Sequence, residues 1–242
     1  SCEATNNDRW GKKGDIRWAS KSVIKYYYEC TYPHCRRDGM IDLSKTSKKT
    51  DDEYFPPLKK INLPKFQFSN IDQISYKDAM IKSMEDLAKE GAIFIGYNVI
   101  FGNAMGTLKN ISDNQKLETP VAENLMAGLA IGMSFEGFIP VLYFERHDFM
   151  LVAADAIINH IDKIERISHG EFKVPLIIRA VTADGGPFYS GITHSQDFTK
   201  LFKAAVDFPV VDPKNGLDVL NAFKAAREIS RPLMVIERKS LY

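Results

Sequence analysis

The chain has 242 residues, 45% of them hydrophobic, and a formal net charge of +1 from 32 basic and 31 acidic side chains. That length builds one sizeable α/β domain with a buried core, alone or with an appendage. A balance this even gives no global field to recruit nucleic acid or an anionic membrane, and no run approaches the roughly 20 apolar residues of a membrane span.

The charge is unevenly placed. Residues 1–70 carry 14 Lys/Arg against 9 Asp/Glu, and the rest of the chain carries 18 against 22. The first part is also rich in Tyr and interrupted by Gly11, Gly14, Pro33, Gly39, Pro56, Pro57 and Pro64. It reads as an N-terminal arm, residues 1–72, that is either a solvated face or a grip on a more acidic partner. Within it a short helix is expected over Ala19–Tyr28 and a polar loop over Lys45–Glu53. Ser1 opens no secretory signal. All three cysteines, Cys2, Cys30 and Cys35, lie in the arm, an odd number that argues against a disulfide framework and for a reducing, cytoplasmic setting. Cys30-Thr-Tyr-Pro-His34-Cys35 lacks the paired spacings of zinc modules, so ordinary thiols are expected there.

Regular structure is expected from Ser75, where Ser75-Tyr-Lys-Asp78 forms a capping box. Ala79, Met80, Met84, Leu87 and Ala88 then recur at helical spacing until Gly91. An apolar strand follows at Ala92–Gly96, then a Gly/Asn-rich loop from Asn98 to Asp113. The alternation continues with strand Lys116–Glu118, helix Val121–Phe135, strand Ile139–Phe144 and helix Phe149–Ile167. Strand Val174–Ala180 leads into a long loop ending at Ser195. Helix Gln196–Ala205, strand Pro209–Val211, helix Leu217–Ile229 and strand Leu233–Glu237 complete the chain. Apolar strands alternating with amphipathic helices predict a doubly wound α/β fold, residues 73–242, with a mainly parallel sheet covered on both faces. Ligands of such folds bind beyond the carboxyl ends of the strands. That directs attention to Thr119–Glu123, Glu145–Phe149 and Val181–Gln196. No G-x-G-x-x-G, Walker A loop or G-x-S-x-G elbow occurs.

In Glu118-Thr-Pro-Val-Ala-Glu123, Thr119 is suited to cap the next helix and Pro120 to its first position. Glu123 then lies in the first turns, where the helix dipole favours negative charge, and this structural role alone accounts for it. The small apolar residues that follow, Met126, Ala127, Gly128, Ala130 and Gly132, predict close packing and poor solvation of the glutamate. Phe149 reads equally as a core aromatic at the start of a buried helix, and His194 as a solvent-facing loop side chain.

From Thr119 to Tyr242 the chain resembles the pyrimidine-binding domain of the beta subunits of thiamine-diphosphate-dependent 2-oxoacid dehydrogenases. Four motifs carry the resemblance in order: Thr119-Pro-Val-Ala-Glu123, Phe149 with Asp155-Ala-Ile-Ile-Asn159, His194-Ser195-Gln196, and Pro232–Tyr242 with Glu237. Ile95-Gly-Tyr-Asn-Val99 is a weaker fifth.

The resemblance implies roles for individual residues. The glutamate matching Glu123 hydrogen-bonds N1′ of the cofactor's aminopyrimidine and promotes its 4′-imino tautomer. Phe149 and Val121 match residues that line that ring, and His194 matches a histidine facing the substrate. His147, in Glu145-Arg-His-Asp148, either contacts substrate or belongs to a salt-bridged turn. The family holds the diphosphate through Mg²⁺ on a second domain with a Gly-Asp-Gly motif and a downstream Asn. This chain has no such motif, so an alpha-type partner subunit is expected to supply it, in an α2β2 heterotetramer with the site between chains. The implied function is decarboxylation of a small 2-oxoacid and transfer of the acyl unit, as a dehydrogenase component or a carboligase. Half of a split transketolase, or a non-catalytic subunit of the same fold, are the alternatives. The acidic pair usual after the first strand's glycine is here Tyr97-Asn98.

Overall fold

The computed structural model describes residues 55–68, 73–185 and 190–242. The expected helix over Ala19–Tyr28, the loop over Lys45–Glu53 and the Cys30–Cys35 cluster lie outside the described residues. Residues from Phe55 onward form one compact unit.

Helix α1 (Tyr76–Lys89) starts where the capping box places it: Ser75 Oγ accepts the Asp78 N–H at 3.0 Å and donates to the Asp78 carboxylate at 2.6 Å. Strand β1 (Ala92–Gly96) follows, then β2 (Lys116–Glu118), α2 (Glu123–Phe135) and β3 (Ile139–Phe144). A helical segment opens as α3 (His147–Met150) and closes as α4 (Ile164–Ile167). Strand β4 (Ile177–Thr182), α5 (Thr199–Ala205), β5 (Val210–Val211), α6 (Gly216–Glu228) and β6 (Leu233–Arg238) complete the unit. The six strands form one sheet in the order β2-β1-β3-β4-β6-β5, and every pairing is parallel.

Two cores cover the two faces. On one, α1, α6 and the loop after β1 bury Met80, Met84, Leu108, Val219 and Phe223 against Phe94, Tyr143, Val181 and Val235. On the other, α2, the 147–167 segment and α5 bury Met126, Met150, Ile157 and Phe202 against Ile95, Leu142, Ile178 and Ile236. Alternate residues of each strand therefore serve opposite cores, which explains strands apolar almost throughout. The chain leaves β1 over the α1/α6 face and leaves β3 over the other. The carboxyl ends of β1 and β3 are therefore the topological switch point of the sheet. At that point a Cβ on Gly96 would lie 2.7 Å from the Tyr143 carbonyl, so only glycine lets the two strands come this close.

Several boundaries differ from the sequence expectation, each for a physical reason. The helix expected over Phe149–Ile167 is not one regular α-helix. It passes through a 3₁₀ turn (Leu151–Ala153) and a π-helical stretch (Ala156–Ile161). Strand β4 begins at Ile177 rather than Val174, because Pro175 offers no N–H to a ladder. Thr119 does not cap α2: the N-cap is Ala122, with no side-chain cap. Thr119 instead extends β2, its N–H donating to Gly96 O at 3.0 Å. Ser195 does not cap α5, which starts at Thr199, whose N–H is taken by Asp197 at 2.8 Å. Residues 55–68, placed in the arm by composition, lie against the domain. Arg166 donates to Phe55 O, Arg231 to Lys59 O, and Phe66 N–H to Asn221.

A charged pair lies within the apolar interior. Arg179 on β4 and Glu237 on β6 have no exposure and join through two bonds of 2.5 and 2.9 Å. Tyr242 donates to Glu237 at 2.6 Å, and the Arg179 guanidinium lies 5.0 Å from the centre of the Tyr143 ring. Burial, foremost, pushes the phenols of Tyr76, Tyr143 and Tyr242 up, so they stay protonated beside the Glu237 charge. Removing one member leaves the other charge buried and unpaired. Glu237→Ala is expected to lower the unfolding free energy by about 3–5 kcal/mol. Urea denaturation checks this, and Arg179→Met combined with Glu237→Leu is expected to recover most of the loss.

Candidate functional site

The expected site residues all lie beyond the carboxyl ends of β1–β4, but they differ in exposure and partners. Glu123 opens α2 and keeps 6% of its surface exposed. Among the described residues no donor reaches its carboxylate. Val121, two residues earlier, is 62% exposed and offers an apolar surface beside it.

Phe149 lies in the first turn of α3, half-buried. Helix α2 packs against the 3₁₀ and π-helical turns that follow α3. Glu123 follows β2 and Phe149 follows β3, so both helix starts lie past carboxyl ends of the sheet. His194 comes to Phe149 from the loop after β4: the ring centroids are 5.3 Å apart and nearly perpendicular, an edge-to-face contact. Among the described residues, the His194 ring bonds only to its neighbour, Thr193 Oγ1, at 2.9 Å.

His147 is placed differently from the substrate contact considered for it. Its side chain has no exposure, and its Nδ1 accepts the Phe198 N–H at 3.0 Å. Nδ1 is therefore the unprotonated nitrogen, and the ring has no surface to offer a ligand. The other reading, a salt-bridged turn, fits its neighbours: Arg146 meets Glu145 at 3.6 Å, and Asp148 accepts from Gln196 Nε2 at 2.7 Å. His147 and Asp148 thus tie the loop after β3 to the His194 loop. His160 is on the surface, 3.5 Å from Asp155, which also accepts from Asn159 at 2.8 Å.

Sequence reasoning overlooked three groups. Glu118 accepts the Asn98 and Ile100 N–H groups at 2.5 and 2.7 Å and so fixes the loop after β1. That loop holds Asn103, Ala104 and Met105 in consecutive left-handed conformations, each costing roughly 1–2 kcal/mol for a side chain with a Cβ. Lys116 secures it by donating to Asn103 at 2.8 Å. The second group is Asp148. The third is Arg238 with its aspartates. Only adjacency to the motif residues Thr119, Phe149 and Glu237 could have pointed to them. Among the described residues no cluster of three or more His, Cys, Asp or Glu is arranged to hold a metal ion. No helix among them is long and apolar enough to cross a membrane.

Burial, the largest influence, holds the His147 imidazole below its ordinary pKa of 6.5. The unfolded chain then binds the proton first as pH falls, so the His147 contribution to stability is complete above about pH 6.5 and declines below it. Urea midpoints compared near neutrality and in mild acid are expected to fall for the wild type. His147→Asn, whose amide oxygen can accept the Phe198 N–H without titrating, is expected to lose that part of the slope.

Comparison with known proteins agrees with this geometry. The family model "Transketolase, pyrimidine binding domain" matches residues 72–242. The beta subunit of the pyruvate dehydrogenase E1 component of Ascaris suum is 28% identical over 176 residues, covering 70% of this chain and 48% of that protein. The 2-oxoisovalerate dehydrogenase subunit beta of Bacillus subtilis is 27% identical over 176 residues, covering 70% of this chain and 53% of that protein. The chain thus spans about half the length of these curated relatives. A solved structure described as "Split gene transketolase, inactive beta4 tetramer" shares the fold, with a TM-score of 0.53 at 21% identity, over 69% of this chain and 52% of that one. By its matched residues, its all-parallel sheet and its motif order, the chain belongs to the transketolase pyrimidine-binding-domain family.

Proposed function

We propose that this chain is the pyrimidine-binding subunit of a two-chain, thiamine-diphosphate-dependent enzyme that decarboxylates a small 2-oxoacid and transfers the acyl unit. The observation that carries the reading is Glu123: a glutamate 6% exposed at a helix start, without a donor among the described residues, past the carboxyl end of a doubly wound sheet. Relatives named as beta subunits of pyruvate and 2-oxoisovalerate dehydrogenases support it.

When bound, thiamine diphosphate supplies the electron sink for decarboxylation. The chain's own residues fit its aminopyrimidine. Glu123 accepts a hydrogen bond from the ring and holds a proton at its carboxyl oxygen in exchange. Val121 and Phe149 give the ring apolar surface, and Phe149 separates it from bulk water. His194, fixed edge-on to Phe149, presents its imidazole toward the space where a 2-oxoacid carbonyl would stand and donates or accepts a proton there. His147 acts through Phe198 as a positioning residue and does not touch substrate.

The diphosphate and Mg²⁺ are assigned to an alpha-type partner, and the assembly to an α2β2 heterotetramer. The outward face of α2 supports a partner. Leu125, Leu129 and Phe135 are exposed there, and Gly128 and Gly132 face open space. An apolar helix face flanked by bare backbone is suited to a close-packed helix from another chain. The acceptor, lipoamide for a dehydrogenase component or a second carbonyl for a carboligase, is decided by the assembled enzyme.

Calorimetry with thiamine diphosphate and Mg²⁺, on the chain alone and mixed with the magnesium-site subunit of the same source, tests the reading. Binding is expected only in the mixture. Glu123→Gln is expected to lower turnover of the complex by about 10²–10⁴-fold, the usual weight of a positioned acid–base group. No binding in a verified complex would refute the catalytic reading. Leu125→Asp is expected to leave the chain folded but prevent co-elution with the partner in gel filtration.

A further inference from the structure

Arg238 ends β6 and forms the centre of a charged group that spans three loops. Its Nε and Nη2 make a forked bond to Asp212, at 2.9 and 2.7 Å. Its Nη1 reaches Asp197 at 3.2 Å and Asp184 at 3.4 Å. Asp212 follows β5 and also meets Lys214 at 2.8 Å. The other two carboxylates belong to a single loop, the one that carries His194. Asp184 stands at its beginning, two residues after β4, and Asp197 at its end, three residues after His194. One guanidinium therefore closes both ends of that loop onto the end of β6.

The charges explain why a cation is needed. Three carboxylates converge, and Lys214 contacts only Asp212. Without Arg238 the loop ends would carry two carboxylates facing a third across a short gap, and repulsion would spread them. Ser240 holds Asp184 through its N–H and hydroxyl, at 3.0 and 2.9 Å, and Thr199 N–H holds Asp197, but neither bond joins the two ends.

Among the described residues, the hydrogen bonds of His194 itself stay inside the loop: its ring bonds to adjacent Thr193 and its N–H to Gly191 O at 3.1 Å. Outside the loop Phe149 meets the ring edge-on, and Gln196, two residues on, is held by Asp148 at 2.7 Å. The place of His194 against Phe149 is thus shared between these contacts and the loop's ends.

We propose that Arg238 is a positioning residue: by clamping Asp184 to Asp197 it sets where His194 stands relative to Phe149. The inference rests on the reading of His194 as a working group of the site, and it makes the end of β6 part of the machinery without contact with substrate.

The full chain with ¹³C-labelled histidine allows a direct test, independent of turnover. The His194 ring signal, assigned by its loss in His194→Gln, is expected to move in Phe149→Leu because the ring current is lost. In Arg238→Met it is expected to move the same way or broaden, while the His160 and His169 signals stay in place and melting stays cooperative. Arg238→Lys, which keeps the charge but not the fork, is expected to restore the signal in part. If Arg238→Met does not fold, Asp184→Asn and Asp197→Asn each remove one arm and are expected to move the signal alone. An unchanged His194 signal in a folded variant overturns the proposal.

In the assembled enzyme kcat/KM of Arg238→Met is expected to fall about 100-fold, the scale of a small misplacement. The double variant with His194→Gln is expected to be no slower than His194→Gln alone. Losses that multiply would overturn the proposal, because Arg238 would then act apart from His194. A complex with no activity in its wild-type form would remove the functional reading, while the ring signals would still decide whether Arg238 positions the loop.

Discussion

The forked bond between Arg179 and Glu237 joins the two strands whose ends carry most of the site's loop chemistry. Both side chains are fully buried, so neither charge has an alternative partner in water. Val181 stands opposite Glu237 in the parallel register of β4 and β6. A slip of one residue would turn Glu237 to the other face, among Met234 and Ile236, and strand Arg179. The pair therefore fixes the register as well as the contact. With the register fixed, the ends of β4 and β6 meet at one level, and Asp184 and Arg238 face each other.

From that point the carboxyl end of the sheet is built by polar ties between loops rather than by apolar packing. Glu118 gathers the backbone after β1, Asp148 and His147 join the loop after β3 to the one after β4, and Arg238 closes the latter on itself. Each tie joins segments distant in sequence. Glu123 is the exception, a carboxylate placed by its helix and left without a donor. Loops tied at their ends and one carboxylate without a donor among the described residues distinguish this end of the sheet from the apolar layers below it.

The apolar face of α2 is consistent with the same incompleteness. A helix apolar on one side only would finish its packing on the sheet. This one buries Met126, Ala127 and Ala130 inward and still presents Leu125, Leu129 and Phe135 outward. The small residues that composition suggested were packed, Gly128 and Gly132, face outward. Periodicity shows that α2 is apolar all round, but it cannot say which half of the helix meets the chain's own core.

The sequence by itself determined the alternation of strands and helices, the capping box at Ser75, the doubly wound class and the motif order from Thr119 to Glu237. All of these are local patterns of apolar spacing and residue type, set by short-range geometry. The candidates Glu123, Phe149 and His194 were legible because each lies in a short motif next to a strand end. What only the tertiary structure decided concerns partners far apart in the chain. Burial removed His147 from the ligand surface and gave its Nδ1 to Phe198, and Ala122 rather than Thr119 came to precede α2 because Thr119 was drawn into the β1–β2 ladder. Arg238 found three aspartates on two loops. Such contacts depend on which strands become neighbours, and strand order is a property of the whole fold that no local window of residues carries.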